Sequence, residues 1–238
     1  MIKAAGFFIT GTDTEVGKTL VSGALILKLR ARTQKVLGFK PVVAGTYQGP
    51  EGEILNEDLE TLRIASNLSP GQLRLCPYVL ETPSAPHLVA KSKGVRLSIA
   101  SAIDALSDIQ KQSDYVVVEG AGGFLTPLND EENLGDFAQQ INLPVVLVVG
   151  MKLGCINHSL LTMESLKAHN LKVAGWIGNC LGTEMNLLSE NVDTLKDKID
   201  APFLGLIPAL PGKLQKANNS PYSIEALQFA AEHIQLPE

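Results

Sequence analysis

Apolar residues in this chain come in short unbroken runs, widely spaced, with little alternation between apolar and polar positions. The runs at 7–10, 36–40, 115–119, 145–150, 172–179 and 203–207 are rich in Val, Ile, Leu and Phe. A strand that is apolar at every position needs cover on both faces, which is the condition of a strand inside a parallel sheet. Between the runs, apolar residues follow a helical period at 20–32, 59–66, 99–112, 134–141, 156–169 and 185–199. A last helix is expected over 224–233, after a polar stretch at 213–221 that reads as a candidate mobile segment. Strands alternating with helices predict right-handed crossovers and an α/β, doubly wound, mostly parallel sheet. No repeat, low-complexity block or linker breaks the pattern, so one domain over 1–238 is expected.

Length and composition agree. A chain of 238 residues can bury roughly 70% or more of its unfolded surface without disulfides or metals as staples. Its hydrophobic content of 45% and charged content of 19% suit a soluble globular protein. A net charge of −5 argues against a nucleic-acid or membrane-surface binder, which would show a basic patch. Cys76, Cys155 and Cys180 are far apart with no CxxC pair, and read as free thiols in a reducing cytoplasm. The opening residues show no basic-then-apolar leader, and no apolar run approaches the ~20 residues of a membrane span.

The first strand changes the picture. Behind it comes Gly11-Thr12-Asp13-Thr14-Glu15-Val16-Gly17-Lys18-Thr19, and then a helical pattern. A strand, a glycine-bounded loop and a Gly-Lys-Thr that opens a helix make a phosphate cradle. Successive N–H groups point into the loop, and the helix N-terminus adds its positive end. Lys18 is placed to reach terminal phosphates and the Thr19 hydroxyl to bind magnesium. Gly11 and Gly17 enclose five residues where four are usual, so this is a variant in which Thr12 stands in the first glycine's place.

In a doubly wound sheet, ligands bind outside the carboxyl ends of the strands. Glu119 ends the run Tyr115-Val116-Val117-Val118 and reads as a direct or outer magnesium partner. The alternative is a surface carboxylate at a turn. Gly120, Ala121, Gly122 and Gly123 follow it and let backbone approach a ligand. Lys40 precedes Pro41 at the end of the second run and is expected beside Lys18, unless it is simply a solvated strand-end lysine. Asp58 is either a third magnesium oxygen or a first-turn helix acid. Asn179 either reads a base edge or ends a turn. His87 and His158 lack partners at metal spacing and read as structural. No serine sits in a nucleophile elbow, so acyl-enzyme chemistry is not indicated.

These motifs together are similar to those of the dethiobiotin synthetases, P-loop NTPase-like enzymes. The likeness rests on residues 11–19, on Lys40-Pro41-Val42, on Val118-Glu119-Gly120-Ala121-Gly122-Gly123 and on Val149-Gly150-Met151-Lys152-Leu153-Gly154-Cys155-Ile156-Asn157-His158. The last run is the most specific. The resemblance implies an enzyme of biotin synthesis that takes 7,8-diaminopelargonic acid, carbon dioxide and ATP to dethiobiotin, through a carbamate and a carbamic–phosphoric anhydride. It implies Mg2+ held by Thr19, Asp58 and Glu119, and catalysis by Lys18 and Lys40. Glu15, Val16, Gly17, Lys18, Thr19 and Leu20 would hold phosphates. Asp58 and Glu119, Gly120, Ala121 and Gly122 would flank the nucleotide. Asn179, Pro208, Ala209 and Leu210 would hold adenine. Thr14 and Lys40 would meet the diamine. It further implies a cytoplasmic homodimer in which Gly154, Cys155, Ile156 and Asn157 of one subunit hold the substrate's carboxylate in the other.

Two positions depart from that pattern. Ala44 stands where relatives often carry a substrate-touching serine, with Thr46 two residues on. Cys180 stands where relatives can carry an acid. The rival function is a P-loop switch ATPase of the partitioning kind. Such proteins usually place a second lysine early in the loop, where this chain has Thr12, Asp13, Thr14 and Glu15.

Overall fold

The computed structural model describes residues 5–182 and 184–237. The elements run β1 (Ala5–Gly11), α1 (Lys18–Arg30), β2 (Val36–Phe39), β3 (Val42–Ala44), β4 (Tyr47–Gln48), β5 (Ile54–Leu55), α2 (Glu57–Ala65), β6 (Tyr78–Leu80) and α3 (Pro86–Ser92). They continue with α4 (Ile99–Gln110), β7 (Tyr115–Glu119), α5 (Leu134–Ile141), β8 (Val145–Met151), α6 (Cys155–Ala168), β9 (Val173–Cys180), α7 (Leu188–Lys198), β10 (Phe203–Ile207) and α8 (Ile224–Glu232).

Among the described residues, six strands form one parallel sheet in the order β10-β9-β8-β1-β7-β2. Successive side chains on a strand face opposite sides. Yet Val116, Val117 and Val118 of β7, and all of 145–149 in β8, are fully buried. Both faces of the sheet are therefore covered, as the unbroken apolar runs require. α1 packs against α2 and α8, α4 pairs with α5, and α6 pairs with α7 beside β8. From β1 the chain crosses to β2 at the edge of the sheet, returns to place β7 between the two, and then builds β8, β9 and β10 on the other side of β1. A crevice opens where that winding reverses, beyond the carboxyl ends of the strands.

The expected fold class is the observed one. Several element boundaries differ by one to three residues, and three of them are informative. The first helix begins at Lys18, two residues early, because Gly17 caps it in a left-handed conformation. The second strand stops at Phe39, which leaves Lys40 just beyond the sheet. The helix expected over 185–199 begins at Leu188, behind Leu187 with its φ of 54°. The periodicity did not indicate β3 with β6, β4 with β5, or α3. Strands of two or three residues are too short to carry a period, and α3 starts at a proline. This group lies between β2 and α4 in sequence, and it walls the site.

Candidate active site

The loop after β1 is held open by backbone geometry. Glu15 and Gly17 both have left-handed φ angles, 59° and 91°. A Cβ on Gly17 would collide with the Asn179 amide nitrogen, so only glycine fits there. The same Asn179 nitrogen donates to the Val16 carbonyl at 2.9 Å and ties the loop to the end of β9. α1 opens with no side-chain cap and no acid in its first turn. Its leading N–H groups are thus left for an anion. Lys18 Nζ donates back across the loop to the Asp13 carbonyl at 2.9 Å. The Asp13 carboxylate accepts from Lys152 at 3.0 Å and from the Thr14 N–H at 2.8 Å. Those two donors hold its pKa below the ordinary carboxylate range.

At the end of β2, Lys40 Nζ donates to Asp58 Oδ2 and to Glu119 Oε1, both at 2.6 Å. Thr19 Oγ1 lies 2.8 Å from Asp58 Oδ1 and 2.7 Å from the same Glu119 oxygen. Asp58 reaches this point because Asn56 caps α2, accepting from the N–H groups of Asp58 and Leu59. Glu119 reaches it as the last residue of a fully buried strand. Burial alone would push the Lys40 ammonium down, but the two carboxylates overcome it and hold the group above the ordinary lysine value. Burial alone would raise Asp58, and Lys40 with the Thr19 hydroxyl holds it low instead. Lys18 has no such pairing; burial first, and then Lys40, push it down to about 8.

Glu119 is fully buried, and its Oε2 has no hydrogen-bond partner. An orphaned buried carboxylate oxygen is costly, which marks it for a ligand. Among the described residues, no group of three or more His, Cys, Asp or Glu side chains could hold a metal alone. The donors here are two carboxylates and a hydroxyl. That set fits magnesium, which keeps waters and shares phosphate oxygens.

These groups line one cavity of about 830 Å3. Of the residues singled out in the sequence, it brings together Thr14, Glu15, Gly17, Lys18, Thr19, Lys40, Ala44, Asp58, Glu119, Ala121 and Gly122. Val16, Leu20 and Gly120 are buried immediately behind the wall. Sequence reasoning missed other lining groups: Pro83, Ser84, Thr126, Lys216 and Tyr222. The Pro-Ser-Ala-Pro run at 83–86 was a visible signal, since prolines and serine cluster there between two apolar stretches. Thr126 and Tyr222 gave none; Thr126 turns in by donating to the Gly123 carbonyl at 2.9 Å.

Other expected residues lie outside the cavity. Thr46, whose N–H donates to the Glu81 carbonyl at 3.0 Å, is not among the lining residues. Asn179 supports the phosphate loop from behind. Pro208 and Ala209 are exposed and Leu210 half-buried beyond β10. Gly154 caps α6 at φ 95° with no side-chain cap and no acid in the first turn, so this helix N-terminus is also open. Gly154 and Asn157 are exposed, Ile156 half-buried and Cys155 buried, and none of the four lines the cavity of their own chain. Among the described residues, no helix is long and apolar enough to cross a membrane.

Comparison with known proteins agrees with this geometry. An AAA-domain family model matches residues 5–216. ATP-dependent dethiobiotin synthetase BioD of Ralstonia nicotianae is 48% identical over 204 residues, covering 86% of this chain and 89% of that protein. Its counterpart in Aromatoleum aromaticum is 46% identical over 212 residues, covering 89% and 94%. Two solved structures share the fold at low identity. The MinC:MinD cell division complex of Aquifex aeolicus aligns with a TM-score of 0.55 and 16% identity, over 94% of this chain and 86% of that one. A ParA family ATPase of Chlorobium tepidum aligns with a TM-score of 0.56 and 14% identity, over 96% and 90%. An open helix N-terminus, two lysines and a hydroxyl–carboxylate pair, in a chain nearly half identical to those synthetases along most of its length, leave one family: the chain belongs to the ATP-dependent dethiobiotin synthetases.

Proposed function

We propose that this protein joins 7,8-diaminopelargonic acid and carbon dioxide, at the expense of ATP, into dethiobiotin, ADP and phosphate, a step of biotin synthesis. The observation that carries the reading is the Lys40 ammonium held between Asp58 and Glu119, beside Lys18 and the uncapped start of α1. The family of the chain supports it, through relatives named as ATP-dependent dethiobiotin synthetases. The likeness to MinD and ParA supports the fold alone.

In the first step one amine nitrogen bonds to the carbon of carbon dioxide and loses a proton, giving a carbamate. A carbamate oxygen then bonds to the γ-phosphorus as the bond to ADP breaks. The second amine bonds to the carbamoyl carbon, phosphate departs with its oxygen, and the ring closes with loss of a proton. No covalent enzyme intermediate is needed, so positioning and charge do most of the catalysis. Phosphoryl transfer brings two anions together. Lys18 and Lys40 offset that charge, one from the loop side and one from the sheet side. The N–H groups of Glu15, Val16, Gly17, Lys18, Thr19 and Leu20 hold the phosphates. Thr19, Asp58 and Glu119 would hold magnesium, which supplies charge neutralisation on the phosphate oxygens when bound.

Asn179, Pro208, Ala209 and Leu210 frame the adenine, with Gly120, Ala121 and Gly122 alongside the nucleotide. Thr14 and Lys40 face the diamine, and Ala44 and Thr46 leave its recognition without the serine of relatives. In a cytoplasmic homodimer, Gly154, Cys155, Ile156 and Asn157 of one subunit capture the substrate carboxylate bound to the other, because an open helix N-terminus favours an anion. Incubation with the diamine, magnesium–ATP and 13C-bicarbonate tests the reading. It requires a product of dethiobiotin mass carrying one labelled carbon; unlabelled product, or none, overturns it.

A further inference from the structure

Lys216 lies between the 3-10 turn Gly212–Leu214 and α8. Its ammonium is 2.6 Å from Glu57 Oε2 and 5.5 Å from the centre of the Tyr222 ring. Glu57 opens α2, directly before Asp58. The chain is pinned on either side of Lys216. Gln215 Nε2 donates to the Leu210 carbonyl at 3.0 Å, and the Tyr222 N–H donates to Thr61 Oγ1 at 3.0 Å. The segment thus crosses from the end of β10 to α2. Lys216 lines both the 830 Å3 cavity and a second one of about 370 Å3, whose other walls include Glu15 and Glu57. Since Glu15 belongs to the phosphate loop, the segment forms a strap beside that loop.

We propose that Lys216 is a polyphosphate-binding residue, which exchanges Glu57 for the phosphate oxygens of the nucleotide when ATP enters. The inference rests on the ATP-dependent reading above. The floor of the cavity carries two lysines, Lys18 and Lys40, against two carboxylates, Asp58 and Glu119. Without magnesium it offers a triphosphate no surplus of positive charge, and one magnesium ion adds less charge than a triphosphate carries. Lys216 is a further cation at the mouth, and its side chain can be released. The Lys216 and Glu57 side chains are 26% and 35% exposed, and pairs this accessible are held weakly. A phosphate group offers several charged acceptor oxygens, a stronger partner for an ammonium than one half-exposed carboxylate. The Tyr222 bond to Thr61 ties the downstream end of the strap to α2, and the exchange needs only the Lys216 side chain to turn.

Titration of the full-length protein and of Lys216→Ala with magnesium–ATP and with adenosine tests this. ATP affinity falls about tenfold in the variant, the scale of one lost charged hydrogen bond, while adenosine affinity stays the same. Glu57→Gln, which frees Lys216, binds ATP at least as tightly as the wild type. Unchanged ATP affinity in Lys216→Ala overturns the proposal. So does an equal loss for ATP and adenosine, which would make the residue a structural support, or a loss confined to the KM of the diamine. The synthetase reading fails separately, through a wild type that binds ATP but forms no dethiobiotin.

Discussion

Lys40 Nζ lies 2.6 Å from Glu119 Oε1, and both side chains are almost sealed from water. This contact joins the end of β2 to the end of β7, and Asp58 extends it to α2. We propose that a charge in that position is both structural and catalytic, two roles that can be separated experimentally.

Lys40→Ala leaves the fully buried Glu119 and the half-buried Asp58 without their cation. Breaking a buried ion pair from one side costs about 3–5 kcal/mol, so the thermal midpoint falls markedly. Magnesium then raises the midpoint of this variant more than that of the wild type, because it replaces the missing charge. Turnover falls about a hundredfold or more, the scale of one lost transition-state partner. A variant as stable as the wild type without magnesium would contradict the linkage. Thermal denaturation with and without the metal decides.

Lys18→Ala behaves differently. Burial already works against the Lys18 ammonium, lowering it to about 8, so its removal relieves a cost. The thermal midpoint of the ligand-free variant stays level or rises, while turnover falls about a hundredfold. Loss of stability together with activity would show that Lys18 is chiefly a structural brace for Asp13.

Gly17→Ala puts a Cβ into the Asn179 amide and into a backbone region that side chains rarely adopt. Strain of this kind costs on the order of 1–3 kcal/mol. ATP binding is lost beyond detection in a titration, because the loop and the first turn of α1 move together. Tight ATP binding by this variant would mean that the loop does not hold the phosphates.

The Cys76 thiol is pushed up to about 12 by burial. In the unfolded chain it ionises near the ordinary thiol value of 9.0. Between those values the unfolded state binds fewer protons than the folded one, so stability falls as pH rises from about 9 towards 12. Cys76→Ala, measured by urea denaturation across that range, shows a shallower decline than the wild type. Equal slopes would place the alkaline sensitivity elsewhere.

Much of this site could be read before any coordinates, for a physical reason. Lys18, Thr19, Lys40, Glu119 and Asn179 all follow or end strands whose apolar runs are unmistakable, and a parallel sheet gathers strand ends at one rim. Asp58 was legible as an acid before a helix, although not which of its two readings would hold. The structure gives it the early place in α2 and sets an oxygen 2.8 Å from Thr19; its part in holding magnesium is our proposal. Thr126 and Tyr222 were not legible. They arrive on short turns and on a strap whose course is set by tertiary bonds such as Tyr222 N–H to Thr61, and such bonds leave no period in the sequence.

Asn157 tests the proposed shared site. It is exposed at the open end of α6, away from the cavity of its own chain. Asn157→Ala raises the KM for the diamine more than it lowers kcat, and it leaves ATP affinity unaltered. Steady-state kinetics with each substrate varied in turn will show this; an unchanged KM would remove the loop from the substrate site.

The most direct measurement is the rate of ADP release from magnesium–ATP and bicarbonate, with and without 7,8-diaminopelargonic acid. A synthetase releases ADP only when the diamine is present, one ADP for each dethiobiotin formed. ADP release at the same rate without the diamine would contradict the proposed reaction and point to a nucleotide switch on the same fold.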